Sequence, residues 1–246
     1  MKKKSMLIVV GILLVLVAVG TILLPKRIRL YNEIKNNIDG LGPKGEMFDA
    51  FDVTDDSLVQ IDTSNLTIGV PKDFIQGDNE IIVTYKSADE SQLVGVSKHV
   101  SDEPIAFFMP GYGENSQIFG IEYSFDDLRK GFEKLGYGIP DNTYNTYKCM
   151  YLLKEKDYSF WDYEKGLAYA NAAFVKGETM MMDTNYVYER EDMYALIMER
   201  NLVDEGMLHF YVEVFDPDDL NTSYLVVVKV KDRQQAYAII NSIKMK

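Results

Sequence analysis

The chain has 246 residues, with 38 acidic against 26 basic side chains, two histidines and one cysteine. At 47% hydrophobic and 12% aromatic it is no disordered chain, and it is long enough for one good-sized core or two small ones. One cysteine excludes an internal disulfide and a cysteine-based zinc site, and a net charge of −12 argues against nucleic acid as a partner.

Met6 to Leu24 is a run of nineteen residues without a charge. As a helix it measures about 28 Å, close to the hydrocarbon thickness of a bilayer. Lys2, Lys3 and Lys4 precede it, the arrangement that holds an N-terminus in the cytoplasm. No cysteine follows the run, which excludes a lipoprotein leader. Ala18-Val19-Gly20 offers a cleavage site before Thr21. Against cleavage, the apolar run continues through Leu24, and the basic cluster Lys26, Arg27 and Arg29 comes only after it. The reading is a retained single-pass anchor, with cleavage and an inverted orientation as the alternatives. Residues 1–5 form a cytoplasmic tail, 6–24 the anchor, 25–60 a juxtamembrane helix and hinge, and 61–246 an extracytoplasmic globular domain.

Pro25 suits the first turn of a further helix, with Ile28, Tyr31, Ile34 and Ile38 at helical spacing and Asp39-Gly40 as a stop. "DGLGPKGE" carries three glycines and a proline and predicts a hinge. "NLTIGVPKDF", "NEIIVTYK" (79–86) and "QLVGVSKHV" (92–100) read as strands by their β-branched content. "EPIAFFMPGYGENSQIFGIEY" predicts short strands around a loop at Gly111-Tyr112-Gly113.

"SFDDLRKGFEKLGY" predicts a helix capped by Ser124, with Leu128, Phe132 and Leu135 inward and Gly136 as its stop. "NTYNTYKCMYLLKEK" (142–156) leans helical. "SFWDYEKGLAYANAAFVKGE" (159–178) is a helix with a stripe of Phe160, Tyr163, Leu167, Ala170 and Phe174, capped by Ser159 and stopped at Gly177. Residues 184–200 hold one or two strands. "GMLHFYVEVF" (206–215) and "SYLVVVKV" (223–230) are strands joined by "DPDDLN". A last helix, "DRQQAYAIINSIK", has Asp232 and Gln235 as a capping pair and Ala236, Ile239, Ile240 and Ile243 as its buried face. Strands, then helices, then strands with a closing helix give an α+β domain: a largely antiparallel sheet covered by helices, preceded by one transmembrane helix.

Few residues in the chain carry chemistry. His99 and His209 lie in separate strands, without the His-Glu-x-x-His spacing of a zinc site. Ser97 and His99 share a strand face, but "GVSKH" is not a nucleophile elbow. Lys148 stands beside Cys149 with no evident base, and a buried thiol is the simpler reading. Asp216, Asp218, Asp219 and Asn221 offer a weak calcium turn, without the glycine and distal glutamate of an EF-hand loop; a solvated hairpin turn is the plainer account. No catalytic motif and no cofactor site is evident.

Between Tyr137 and Tyr188 stand twelve aromatic residues, nine of them tyrosines. Tyrosine suits both helix packing and binding surfaces. Phe160, Tyr163 and Phe174 fit packing; Tyr144, Tyr147, Tyr151 and Tyr158 are the candidates for a binding face. Charge adds a constraint on any partner. With the six basic residues of the first thirty set aside, 20 Lys and Arg face all 38 acids, a body of −18 that favours cationic partners.

"LTIGVPKDF" near the start of the body and "AYAIINSIKMK" at its end resemble the PsbP/Mog1-like domains of bacterial surface proteins, over about residues 66–99 and 207–246. The resemblance implies an α/β/α sandwich on an antiparallel sheet and a binding or assembly role. It carries over no catalytic residue. The expected function is a membrane-anchored, extracytoplasmic interaction module of a bacterial cell surface with a protein partner, and not an enzyme. The alternatives are a membrane-tethered acidic inhibitor or immunity protein, and an envelope hydrolase using a carboxylate pair.

Overall fold

The computed structural model describes residues 24–37, 44–48, 53–78, 81–99, 116–118, 121–123, 125–179, 184–202 and 206–246, with the single positions 17 and 20. The anchor expected at Met6 to Leu24, the cap at Ser124 and the loop at 111–113 fall wholly or mostly outside these residues. No helix among the described residues is long and apolar enough to cross a membrane.

The fold is mixed α+β, built on an eight-stranded, mostly antiparallel sheet. Its strands are β1 (Lys44–Met47), β4 (Ile75–Asp78), β5 (Ile82–Lys86), β6 (Leu93–Ser97), β9 (Thr184–Arg190), β10 (Met193–Leu202), β11 (Met207–Asp216) and β12 (Asp219–Val230). Their order is β1-β9-β10-β11-β12-β6-β5-β4. β1 joins β9 in parallel, while the remaining neighbours run antiparallel. The centre is three long strands, β10, β11 and β12, the last two joined by a tight turn. In the β11–β12 turn, the Asp216 carboxylate accepts from the N–H of Asp218 at 2.9 Å. A second sheet holds β2 (Leu58–Asp62), β3 (Leu66–Pro71) and β13 (Lys244–Met245). β7 (Ser116–Ile118) and β8 (Ile121–Tyr123) form a hairpin.

Alternation along the central strands feeds two cores. On β10, Ala195 and Ile197 point to one face and Leu196 and Met198 to the other, all buried. The first core is mainly aliphatic, with Phe48, Tyr85, Tyr188 and Phe210 among its members. There α5 (Arg233–Asn241) and β3 cover β11 and β12, with Ala236, Ile239, Ile240 and Ile243 fully buried as the spacing predicts. Burying each such isoleucine contributes about 1.5–3 kcal/mol. The Asp232 carboxylate accepts from the N–H groups of Gln234 and Gln235 at 2.6 and 3.1 Å, so Asp232 caps the helix, which is the Asp232 half of the predicted pair. At the other end of α5, the Arg190 guanidinium donates to the carbonyls of Asn241 and Ile243.

The second core lies between the opposite face of the sheet and three helices: α2 (Phe125–Leu135), α3 (Thr143–Leu152) and α4 (Tyr163–Thr179). In α4, residues 168–173, 175 and 176 are all buried, so the helix is enclosed almost all round. The predicted stripe is therefore corrected. Leu167 and Phe174 are only partly buried, whereas Tyr169, Ala172, Ala173 and Val175 are packed within. Apolar periodicity loses its meaning on a helix with no solvent side. The start also shifts: Asp162 accepts from the Lys165 N–H at 3.1 Å in the place expected for Ser159, and the helix runs past Gly177.

Of the hinge predicted over 39–46, residues 44–46 lie in a strand, and 39–43 are outside the described residues. α1 (Leu24–Asn37) packs on the helical layer through Leu30, which lies beside Gly166, and Ile34; of the residues noted at helical spacing, Ile34 packs inward while Ile28 and Tyr31 are exposed. After it, Lys44–Met47 of the glycine-rich stretch enters the main sheet as β1. Phe48 is buried in the first core, with its ring centroid 5.4, 5.2 and 4.9 Å from those of Tyr186, Tyr188 and Tyr237. A glycine is required at position 45, where a Cβ would lie 1.5 Å from the Tyr151 carbonyl oxygen. The body therefore includes segments well before residue 61.

Candidate functional site

The four tyrosines singled out in the sequence divide. Tyr144, Tyr147 and Tyr151 are buried and face the sheet from α3, so they present no surface; the binding face expected there is corrected. Tyr144 packs on Tyr194 and Phe215 with centroids 5.2 Å from each, and its hydroxyl donates to Glu189 at 2.9 Å. Burial first, and then the Glu189 charge, raise its pKa. Burial likewise holds the Tyr151 hydroxyl far above the usual phenol range. Tyr158 is half-buried, between Tyr31 at 6.1 Å and Tyr169 at 5.5 Å. These rings bind helices to one another and to the sheet.

The same helix has an opposite side, and it lines a groove of about 310 Å³. Asn145, Lys148, Cys149 and Leu152 recur at i, i+3, i+4 and i+7 along α3. Tyr137, Ile139, Pro140 and Asp141 form the facing wall. Local chemistry explains that wall. Gly136 and Gly138 both have left-handed φ, +94° and +80°, which other residues adopt only with strain. The loop they shape leaves Ile139 54% exposed at the lip. It is pinned where the Arg129 guanidinium donates to the Pro140 carbonyl, with Nε at 2.7 Å.

Hydrogen bonds fix the polar groups. Asn142 caps α3, its side-chain oxygen accepting from the Asn145 N–H at 2.8 Å. The Asp141 carboxylate accepts from the Asn142 and Asn145 side-chain amides at 2.8 and 2.9 Å. The Asn145 bond holds the Asp141 pKa below the ordinary carboxylate value. Lys148 donates to Glu189 at 2.6 Å. The Tyr137 hydroxyl lies 2.7 Å from Asp157 Oδ2 and 3.0 Å from the Leu152 carbonyl oxygen. Its pKa is raised, by burial and then by Asp157.

Cys149 lies in the wall of this groove, half-buried. Burial pushes its pKa up to about 11, and Lys148 opposes that only in part. At neutral pH the group is a thiol, a poor nucleophile. Apart from the Lys148 ammonium, already paired with Glu189, the groove thus offers an apolar lip, a fixed carboxylate and amide groups. These suit recognition of a side chain that is apolar along its length and cationic or hydrogen-bonding at its tip.

The remaining candidates stand elsewhere. The Ser97 hydroxyl donates to the His99 carbonyl at 2.9 Å and accepts from the His99 N–H at 3.2 Å, a local backbone turn. The His209 ring lies 4.5 Å from that of Tyr211 on β11. In the acidic hairpin, Asp219 accepts from the Asn221 N–H and the Thr222 hydroxyl at 3.1 and 2.5 Å, and Asn221 accepts from the Thr143 N–H at 3.2 Å. The oxygens of Asp216, Asp219 and Asn221 thus hold the turn and tie it to α3. Among the described residues, no three of His, Cys, Asp and Glu converge closely enough to hold a metal ion. A larger concavity of about 500 Å³ beside the start of α5 is lined by Val53, Thr54, Asp55, Asp232, Gln234 and Gln235. Its two carboxylates already accept backbone bonds, Asp55 from Ser57 at 2.8 Å and Asp232 at the helix cap.

Ile139, Asp141, Asn145 and Leu152 were not legible as a site in the sequence. The available signal was "GYGIP", which places an isoleucine between a glycine and a proline, beside a helix whose tyrosines all turn inward. No protein-family model matches the chain, and no curated protein matches it in sequence.

Proposed function

We propose that the protein is a membrane-anchored binding module of a bacterial cell surface, held by Met6 to Leu24 with its N-terminus in the cytoplasm and its body outside. The observation that carries the reading is the α3 groove: a lip of exposed Ile139 beside the fixed carboxylate of Asp141, on a body of −18. Such a groove suits a protein segment with an apolar anchor and a basic flank. The resemblance to PsbP/Mog1-like domains is part of the same proposal. The two stretches that carry it lie side by side, the first in β3 and the second in α5 and β13, with the Gly69 N–H donating to the Ser242 hydroxyl at 2.6 Å.

The test is a crosslinking pull-down of the full-length chain from membranes. The wild type is expected to recover one partner protein with a basic surface. Ile139→Arg, which places a charge on the lip without touching either core, is expected to recover it about tenfold less. Equal recovery by both, or none by the wild type, contradicts the proposal. A neighbouring gene for a basic toxin, with protection on expression, would turn the reading toward an immunity protein.

A further inference from the structure

Trp161 is the sole tryptophan of the chain, and it is 72% exposed in the turn before α4. A ring of that size left in water is unusual unless something covers it. Its surroundings continue toward α1. Phe160 packs edge-on against Trp161 at 5.2 Å and against Tyr31 at 6.2 Å, and Tyr31 and Ile28 are each 43% exposed. Tyr31 is seven residues along α1 from Leu24, where the nineteen-residue apolar run ends, about 10 Å of helix. Between them lie Lys26, Arg27 and Arg29, half of the six basic residues in the first thirty, on a chain whose remainder is acidic.

We infer that this patch, Trp161 with Phe160, Tyr31 and Ile28 beside the basic turn of α1, rests on the headgroup layer of the membrane that holds the anchor. The inference rests on the anchor reading above. Three features point to lipid in preference to a protein. Ile28 and Tyr31 follow the apolar run closely in the sequence. The turn of α1 beside the patch carries three basic residues and no acid, complementary to anionic lipid, while Asp162 and Glu164 follow Trp161 in the chain. The side chains of the patch are the types that settle at the membrane–water boundary: tryptophan and tyrosine with flanking lysine and arginine. Because α1 is docked on the helical layer through Leu30 and Ile34, the contact holds the domain in one orientation on the membrane. The acidic body is turned away from the anionic surface, which would otherwise repel it.

The single tryptophan makes the test specific to this residue. The full-length protein is reconstituted into vesicles of phosphatidylglycerol and phosphatidylcholine, with part of the phosphatidylcholine brominated near the headgroup end of its acyl chains. Flotation reads the anchor, and Trp161 emission reads the contact. Co-flotation with about a twofold loss of emission on bromination, and shielding from aqueous iodide, is expected of a ring at the interface. Co-flotation with unquenched, iodide-accessible emission overturns the contact and leaves the anchor standing. Failure to float overturns both.

Discussion

The two faces of the main sheet are built differently. The face beneath α5 is mainly aliphatic, its buried carboxylate Glu199 is paired with Arg233 and Tyr186, and its helix is capped at both ends, by Asp232 and by Arg190. The face beneath α2, α3 and α4 carries tyrosines and buries polar groups: Asn171, Lys176, Asn185 and Glu213. Both side-chain polar atoms of Asn171 and of Asn185, and one oxygen of Glu213, are buried without a hydrogen bond. Each such group costs stability. The helix carrying the groove lies on this second face. The α5 side stabilises the fold, and the helical side gives up some stability through these unpaired groups.

That contrast is open to measurement by chemical denaturation. The largest effect is expected from Ile240→Ala in the aliphatic core, a loss of about 2–5 kcal/mol. A loss well under 1 kcal/mol would remove the distinction. Glu213→Gln is expected to act in the opposite sense. Burial raises the Glu213 pKa well above its ordinary value of 4.5, so the folded state favours the neutral acid. The stability this group contributes is complete below pH 4.5 and is lost as pH rises toward its folded pKa. The variant should therefore gain about 1–3 kcal/mol at pH 7 and close to nothing near pH 4. A pH-independent difference would show that burial does not set this pKa.

Smaller effects sharpen the picture. Tyr144→Phe removes the hydroxyl bond to Glu189 and keeps the ring packing, a loss of about 1 kcal/mol. Gly177→Ala places a methyl where nothing lies within 4 Å, in the last turn of α4, and should gain about 0.5 kcal/mol. A loss there would mean that the second core continues past that glycine.

How much the sequence disclosed follows the same division. The buried face of α5, the cap at Asp232 and strands β5, β6, β11 and β12 were legible because alternation and capping are local signals. The inward turn of Tyr144, Tyr147 and Tyr151 was not. A tyrosine on a helix has the same letter whether its ring meets a sheet or solvent, and only the position of the sheet decides. The register of α4 failed for a related reason: a helix enclosed all round has no polar side to set its phase. β1 was hidden because glycine at position 45, read as hinge composition, is in fact the close approach to the Tyr151 carbonyl. The groove was hidden because its residues come from two segments joined by a loop whose path depends on two left-handed glycines.

The central claim is that the outer side of α3 is a protein-contact surface. It is tested most directly by a photo-crosslinking amino acid placed in the full-length protein at position 139, with position 75 on the β4 edge, also exposed, as the comparison. In native membranes, position 139 should give one discrete protein adduct and position 75 none. The same products from both positions, or no adduct from 139, would contradict the account.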